Sequence, residues 1–291
     1  MSECGTCFSE YTLRPARVVV TPQTDSCGAR LGVTADIDRT EAIIEPMLPR
    51  FLVPGLDPDR AEAVLPPGEA HHLTRVLRLR VGDDVGVFDG TGHEYRARVA
   101  SIEGSTVTVT LIAPCESVPG PAVRLTLVQS VLKADPMDDV IRDATMVGVD
   151  RIQPVVSART TVKTAVLSKG VQRWRRIALA STKQCGRSML PDIKDVVEYP
   201  AWLRTKGDAP AFLLVEPSAE APDVLRLRDL VQRRNPGRAA IVVGPEGGWT
   251  AEELALSVES GCIPLSLGRL TLRADAVPLA AAAVLIAVWD Q

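Results

Sequence analysis

The sequence predicts two folded parts: a small β-barrel near the amino terminus and a larger α/β part, whose mostly parallel sheet carries helices on both faces. Two observations support this prediction. Between residues 84 and 112, short segments of alternating hydrophobicity are separated by tight turns, which is typical of small β-barrels. From residue 123 onward, short apolar segments alternate with helical ones, which is the rhythm of an α/β fold.

The predicted strands of the barrel are Arg50–Val53, Asp84–Phe88, Glu94–Ile102 and Thr106–Ile112. The turn Asp89–Gly92 joins the second and third of them into a hairpin, and Glu69–Leu77 fits a short helix. The predicted strands of the α/β part are short and apolar, as in a sheet buried on both faces: Val123–Val128, Ile152–Val156, Ala211–Val215, Ala239–Val243 and Ile263–Leu267. The first predicted helix of this part is capped by Asp135 and ends at Gly148. The other predicted helices are Lys169–Cys185, Pro222–Arg233, Ala251–Ser260 and Asp275–Trp289.

Composition places the chain among globular proteins. Its 291 residues are 46% hydrophobic and 24% charged, and the net charge of -3 does not by itself indicate a nucleic-acid partner. The longest apolar stretch, Ala276–Trp289, is shorter than the roughly 20 residues that span a bilayer. Because the six cysteines are scattered and the amino terminus lacks a secretory pattern, we expect a reducing, cytoplasmic environment.

We expect residues 1–46 to be a disordered extension, with Met47 as an alternative start. Cys4, Cys7 and Cys27 do not complete a four-ligand zinc site, and no other cluster has metal-ligand spacing, so no metal is predicted. The barrel is expected at residues 47–115, a proline-rich linker at 116–122 and the α/β part at 123–291.

Two loops in the last third of the chain are candidates for ligand binding. The first, Gly244–Gly248, follows a buried strand and enters a helix through a capping box of Thr250 and Glu253. The second, Leu265–Asp275, joins another strand to the last helix. Ligands bind at the carboxyl ends of parallel strands, so the two loops are predicted to share a pocket, although each alone also fits an ordinary turn. The first loop contains neither a dinucleotide-binding motif nor a P-loop phosphate motif.

The run Gly244–Gly248, with Leu267-Gly268 and Leu272-Arg273, resembles the signature of the SPOUT methyltransferases. More narrowly, it resembles the RsmE family of 16S rRNA uridine-N3 methyltransferases. Three further stretches agree, and together they extend the resemblance over about residues 47–291. These stretches are Gln184–Arg187 with Pro191; His72, Arg75–Arg78 and Asp89-Gly90; and Lys133 with Gly148-Val149.

This resemblance implies a PUA-like barrel that binds RNA, followed by a SPOUT domain with a deep trefoil knot. It implies S-adenosyl-L-methionine as cofactor, held largely by backbone groups of three loops. The corresponding residues are Leu214, Val215, Glu216, Gly244, Pro245, Glu246, Gly247, Gly248, Leu265, Ser266, Leu267, Gly268 and Leu272. It further implies a homodimer, with the last helix at its interface, and 16S rRNA as substrate, within a small ribosomal subunit or its precursor.

Three departures from the family pattern keep two alternatives open. The family's Leu-Arg-x-Glu-Thr-Ala stretch reads Leu272–Val277 here, the glutamate before Gln184 is Lys183, and its Glu-Leu-Gly is Met146–Gly148. The alternatives are a knotted methyltransferase with another RNA target and a ribosome-binding protein without catalytic activity.

Uridine N3 must lose its proton to become a nucleophile, and an arginine that donates hydrogen bonds to O2 or O4 would stabilise the resulting anion. Arg273 is the first candidate and Arg187 the second. The alternative role for Arg273 is that of a structural partner of Asp275 or of a loop carbonyl, and the alternative for Arg187 is that of a solvated helix-end arginine. Predicted RNA contacts, which also fit a merely solvated basic face, are Arg50, His72, Arg75, Arg78, Arg80 and Lys133.

Overall fold

The computed structural model describes residues 48–162, 164–219, 221 and 223–290. Predictions about residues 1–47, including the disordered extension and the cysteines Cys4, Cys7 and Cys27, lie outside these described residues. Residues from Arg50 onward belong to one compact unit that contains two β-sheets. Among the described residues, no helix combines the length and the apolar character needed to cross a membrane.

The first sheet has five strands, in the spatial order β1-β3-β4-β5-β2. The strands are β1 (Arg50–Leu52), β2 (Glu62–Val64), β3 (Asp84–Phe88), β4 (Glu94–Glu103) and β5 (Thr106–Pro114). Strand β1 pairs with β3 in parallel, and the other pairs are antiparallel. Alternate residues of the strands, such as Val85, Val87, Val99 and Val109, are buried in one core. Strand β2 was not predicted from the sequence, because a three-residue strand has no measurable alternation.

A short helical segment packs against this sheet. Helix α1 (Pro67–His71) begins with proline at its first position and continues as a π-helical turn over His72–Val76. Leu73 is fully buried in the core of the sheet, whereas Arg75 is exposed. The predicted helix Glu69–Leu77 is therefore confirmed, with a start two residues earlier.

The second sheet has eight strands, all parallel, in the order β11-β13-β10-β12-β6-β7-β8, with β9 also pairing with β7. The strands are β6 (Arg124–Ser130), β7 (Arg151–Val156), β8 (Asp192–Ile193), β9 (Val197–Glu198), β10 (Ala211–Leu214), β11 (Leu225–Arg226), β12 (Arg238–Val243) and β13 (Cys262–Ser266). The predicted mostly parallel sheet is confirmed. In register, Leu214 lies opposite Leu265, and Val243 lies opposite Gln129.

Helices cover both faces of this sheet. They are α2 (Asp135–Val147), α3 (Thr164–Cys185), α4 (Tyr199–Thr205), α5 (Leu227–Leu230), α6 (Ala251–Glu259) and α7 (Val277–Trp289). One face packs Leu127 and Ile241 against α2, α3 and α7, and the other packs Val128 and Val242 against α4 and α6. Neighbouring residues of one strand thus enter different cores, which explains why the strands are apolar throughout.

Three predicted helix features are corrected. Instead of a helix over Pro222–Arg233, the described residues of that stretch contain β11 and the single turn α5. The carboxylate of Asp229, the third residue of α5, accepts a hydrogen bond from the backbone N–H of Arg226. Asp135 is not a cap, because it lies inside α2 and Ala134 occupies the N-cap position. Asp275 does not cap α7 either, because that helix begins at Val277 and the carboxylate of Asp275 binds Arg273.

Candidate functional site

Three loops meet at the carboxyl edge of the large sheet. They follow β10, β12 and β13, and they lie side by side because β10 is placed between the other two strands. Together they enclose a cavity of about 320 Å³. This volume falls within the roughly 300–1,000 Å³ of small-molecule sites. The predicted common pocket of the two glycine loops is therefore present in the fold.

Nearly all of the residues predicted to bind a cofactor line this cavity. They are Leu214, Val215, Glu216, Gly244, Pro245, Glu246, Gly247, Gly248, Ser266, Leu267, Gly268 and Leu272. Leu265 is the exception, because it is fully buried within the sheet. Its carbonyl instead accepts a hydrogen bond from the backbone N–H of Val215, at 3.0 Å, and so joins two of the loops.

Trp249 determines the shape of the glycine loop. Its ring lies so close to Gly244 that a Cβ on that residue would stand 3.1 Å from the ring. The Trp249 Nε1–H donates to the carbonyl of Leu214 at 3.1 Å, and the ring packs against Tyr199. Glycine is thus required at position 244 by the close approach of a side chain. Trp249 was not among the site residues predicted from the sequence.

The predicted capping box closes the other end of this loop. The Thr250 Oγ1 accepts from the backbone N–H of Glu253, and the Glu253 carboxylate accepts from the backbone N–H of Thr250. The same carboxylate, which is buried, also accepts from the backbone N–H of Ala158 at 2.8 Å. Through this bond the loop after β7 is attached to the glycine loop, which brings Arg159 to the wall of the cavity.

A second cavity adjoins the first and contains Arg273. Both cavities share Glu216, Glu246 and Leu272 in their walls, and the second is completed mainly by residues 271–275 with Leu132 and Pro136. The Arg273 side chain is 79% exposed and forms a two-pronged ion pair with Asp275, with N–O distances of 3.1 and 2.8 Å. The predicted catalytic arginine therefore lies beside the loops that are predicted to bind the cofactor. It also makes the structural ion pair with Asp275 that was the alternative role predicted for it.

Arg187 lies elsewhere. Its Nη1 donates to the carbonyls of Thr145 and Val149, at 2.7 and 3.0 Å, beside the carboxyl end of α2. Burial lowers the pKa of Arg187, and the charge of Asp150 opposes that shift. This arginine is neither a solvated helix-end residue nor part of either cavity wall, so the structure does not bring it together with Arg273.

The residues predicted to contact RNA fall into separate groups. Arg75, Arg78 and Arg80 are exposed, and none of them forms an ion pair with any other described residue. His72, beside them, is half-buried and packs edge-on against Phe51; burial, helped by the charge of Lys183, lowers its pKa. The structure therefore leaves these three predicted RNA contacts exposed on one short stretch of the chain.

Lys133 lies away from those arginines, beside the second cavity. Its backbone N–H donates to the Glu246 Oε1 at 3.1 Å, while its side chain is exposed. It is therefore close to the predicted reaction site rather than an extension of the arginine group.

Arg50 is a correction to the predicted RNA surface, because its side chain is only 5% exposed. The guanidinium pairs with Glu94 at 2.8 and 2.6 Å and donates to the carbonyls of Thr182, Lys183 and Arg187. It also lies 4.8 Å from the centroid of the Phe88 ring. Arg50 thus joins the first sheet to the end of α3, a role that a lone arginine in a sequence does not reveal.

Lys183, one of the departures from the family pattern, makes a second link at the same place. Its Nζ lies 2.8 and 2.6 Å from the two carboxylate oxygens of Glu69, and it sits 5.5 Å from the Phe51 ring. Lys183 lines neither cavity, so this substitution does not alter their walls. Within the described ranges, no group of three or more histidine, cysteine or acidic residues is arranged to hold a metal ion.

Comparisons with known proteins identify the families of both folded parts. A family model of the RNA methyltransferase domain matches residues 119–286, and an RNA methyltransferase PUA domain model matches residues 65–112. Ribosomal RNA small subunit methyltransferase E of Synechocystis sp. is 30% identical over 233 residues, which cover 79% of this chain and 75% of that protein. The Mycobacterium tuberculosis protein of the same name is 29% identical and covers 82% of this chain.

Two solved structures have the same fold over most of the chain. One is a ribosomal RNA small subunit methyltransferase E from Neisseria gonorrhoeae bound to S-adenosyl methionine, with a TM-score of 0.75 and 29% identity. The other is a putative methyltransferase from Legionella pneumophila in complex with the same cofactor, with a TM-score of 0.75 and 27% identity. Each match covers 83% of this chain and 98% of the chain in the solved structure. Since one domain model matches more than half of the chain, and the Synechocystis relative is aligned over three quarters of its own length, the chain belongs to the RNA methyltransferase family of ribosomal RNA small subunit methyltransferase E.

Proposed function

We propose that this protein transfers the methyl group of S-adenosyl-L-methionine to N3 of a uridine in 16S rRNA. The observation that carries the proposal is the pair of adjoining cavities: one lined by the three loops, the other containing Arg273. Two structural relatives that hold S-adenosyl methionine share this fold at 27% and 29% identity.

The first cavity has the chemistry that this cofactor requires. Its glycine backbone and the leucines Leu214 and Leu267 suit an adenosine, and the carboxylates of Glu216 and Glu246 suit the amino group and the positive sulfonium. When bound, the cofactor supplies an electrophilic methyl group. The main task of the protein is then to hold two reactants in line, which supplies a large part of the rate enhancement of such reactions.

In the proposed reaction, the second cavity receives the uracil ring. The Arg273 guanidinium donates hydrogen bonds to O2 or O4 and stabilises the negative charge that develops as N3 loses its proton to solvent water. N3 then accepts the methyl group, and the electron pair of the broken S–C bond stays on the sulfur, which leaves as a neutral thioether. Its ion pair with Asp275 orients the guanidinium plane, since an arginine and a carboxylate bind through two parallel bonds. A base in structured RNA must first leave its stack, at a cost of a few kcal/mol.

We further propose that the first sheet closes as a PUA-like barrel and presents Arg75, Arg78 and Arg80 to the RNA. We also propose that the segment between β13 and α7 passes through a trefoil knot. The return of α7 to pack against β6, β12 and α2 supports this path.

The exposed Leu270 and Leu272 beside the cavity support a homodimer whose interface covers them. A small ribosomal subunit or its precursor is the expected partner, in the cytoplasm.

The test is single-turnover methylation of 16S rRNA, with the product mapped by mass spectrometry. Arg273→Ala should lower the methylation rate by about 10²-fold while the dissociation constant for the cofactor stays unchanged. Arg234→Ala, which removes an exposed arginine outside both cavities, is the matched control. Methylation at a position other than uridine N3 would refute the proposed target, and full activity of Arg273→Ala would refute the role of that residue.

A further inference from the structure

Arg159 lies at the rim of the first cavity, on a turn that is held by several hydrogen bonds. It belongs to the turn after β7, where the Ser157 N–H donates to the Thr160 Oγ1 and the Thr160 N–H donates to the Ser157 carbonyl, both at 3.0 Å. The preceding residue, Ala158, is bonded through its N–H to the buried carboxylate of Glu253. The backbone on both sides of Arg159 is therefore fixed relative to the glycine loop.

The side chain of Arg159 lies along Gly247. A Cβ on Gly247 would stand 3.3 Å from the Arg159 Cβ and 3.4 Å from its Cδ, so the two residues are in direct contact. The Arg159 Nη1 donates to the Gly247 carbonyl at 2.8 Å. A guanidinium has five N–H donors, and the others of Arg159 make no hydrogen bond to any described residue. Because the residue is exposed and lines the cavity, these donors are available to a ligand.

The charges around the cavity are unevenly distributed. Among the described residues of its wall, Arg159 alone is cationic, whereas Glu216 and Glu246 are anionic. Arg273 lies in the second cavity and already binds Asp275. An anionic group that enters the first cavity therefore meets one fixed guanidinium, and the fork of an arginine matches the two oxygens of a carboxylate.

We infer that Arg159 binds the carboxylate of the methionine portion of the methyl donor and so selects the complete amino acid. This assignment rests on the proposed function, because it takes the donor to be S-adenosyl-L-methionine. Gly247 holds the guanidinium by one nitrogen, and the carboxylate binds the remaining N–H groups. The carboxylates of Glu216 and Glu246 attract the amino group of the same ligand. The α-carboxylate and the α-amino group of the ligand therefore each meet a side chain of opposite charge.

The test compares two ligands on matched variants by titration calorimetry. One ligand is S-adenosyl-L-methionine, and the other is its decarboxylated form, which keeps the adenosine, sulfonium and amine. The unmodified protein should prefer the complete ligand by about 10- to 100-fold, the usual contribution of a hydrogen-bonded charge pair. Arg159→Ala should weaken the complete ligand by that factor and leave the decarboxylated ligand unaffected. Arg159→Lys should keep part of the preference, and Arg234→Ala should keep all of it.

Three other outcomes would each lead to a different conclusion. Equal weakening of both ligands by Arg159→Ala would overturn the proposal and assign Arg159 the role of a support for Gly247. Unchanged binding of both ligands, with weaker binding of 16S rRNA, would overturn it in favour of a phosphate contact. If the unmodified protein bound neither ligand, the proposed function itself would fail, whereas the first two outcomes leave that function intact. Equal urea midpoints of all variants establish that each one is folded.

Discussion

Arg50→Ala tests whether this residue joins the two sheets or contacts RNA. In the structure its guanidinium is enclosed by the Glu94 carboxylate, the Phe88 ring and three backbone carbonyls at the end of α3. The change leaves the Glu94 carboxylate, whose side chain is 14% exposed, without its counter-charge. It also removes the donors of those carbonyls.

Removal of one partner from a buried ion pair costs about 3–5 kcal/mol of unfolding free energy. At roughly 2–4 °C per kcal/mol for a chain segment of this size, the midpoint of thermal unfolding should fall by roughly 6–20 °C. The surface ion pairs of Arg142 with Asp139 and Asp143 provide the control, since these three side chains are 48%, 49% and 24% exposed. Arg142→Ala should cost no more than about 1 kcal/mol.

Urea unfolding at neutral pH measures both variants, together with Glu94→Ala and the double variant Arg50→Ala/Glu94→Ala. The double variant should be destabilised by less than the sum of the single variants, because removing both charges avoids the unpaired buried one. The reasoning is refuted if Arg50→Ala costs less than about 1 kcal/mol while 16S rRNA binding weakens and depends less steeply on salt.

Three further predictions concern other surfaces and turns. Replacing Arg75, Arg78 and Arg80 by alanine should weaken 16S rRNA binding and leave the affinity for the methyl donor unchanged. The slope of log K against log salt concentration should become shallower by roughly 0.7–0.9 for each phosphate that is no longer neutralised, which filter binding at several salt concentrations measures. For Asp89, burial alone would raise the pKa, but hydrogen bonds from the turn outweigh burial and lower it to about 2. Its contribution to stability is therefore present above the unfolded pKa of about 4 and is lost as the pH falls towards 2, so Asp89→Asn should be destabilising at pH 7 and neutral near pH 2 in urea unfolding. Gly148→Ala should destabilise by at least about 1–3 kcal/mol, since φ is +111° and the new Cβ would lie 2.7 Å from a neighbouring proline ring; unchanged thermal unfolding would contradict this.

Periodicity predicted the large sheet well because its strands are buried on both faces. Arg238–Val243 and Cys262–Ser266 are largely apolar runs, and their interiors carry no charged position. The short strands Asp192–Ile193 and Val197–Glu198 were missed because two residues carry no period. The one-turn helix Leu227–Leu230 was overestimated in length, since leucines and arginines favour a helix even where the strand Leu225–Arg226 takes the preceding residues.

Some residues of the candidate site could likewise be predicted from the sequence, and others could not. Loops that follow strands could be found from the sequence, because the carboxyl ends of parallel strands share one edge. Arg159 also follows such a strand, but its approach to Gly247 depends on the order of strands in the sheet, which periodicity does not contain. Arg50 was misassigned for a related reason: the carbonyls that it binds lie more than 130 residues further along the chain.

The position of Trp249 gives the protein an internal optical probe. Of the four tryptophans in the sequence, Trp174, Trp202 and Trp289 are buried away from the cavity, and only Trp249 forms part of its wall. Its indole is fixed by the bond to the Leu214 carbonyl, so its emission should respond to an adenine ring placed beside it rather than to local motion. Under the proposed function, donor occupancy should therefore be measurable by intrinsic fluorescence in the unlabelled chain, with the other three indoles contributing a constant background.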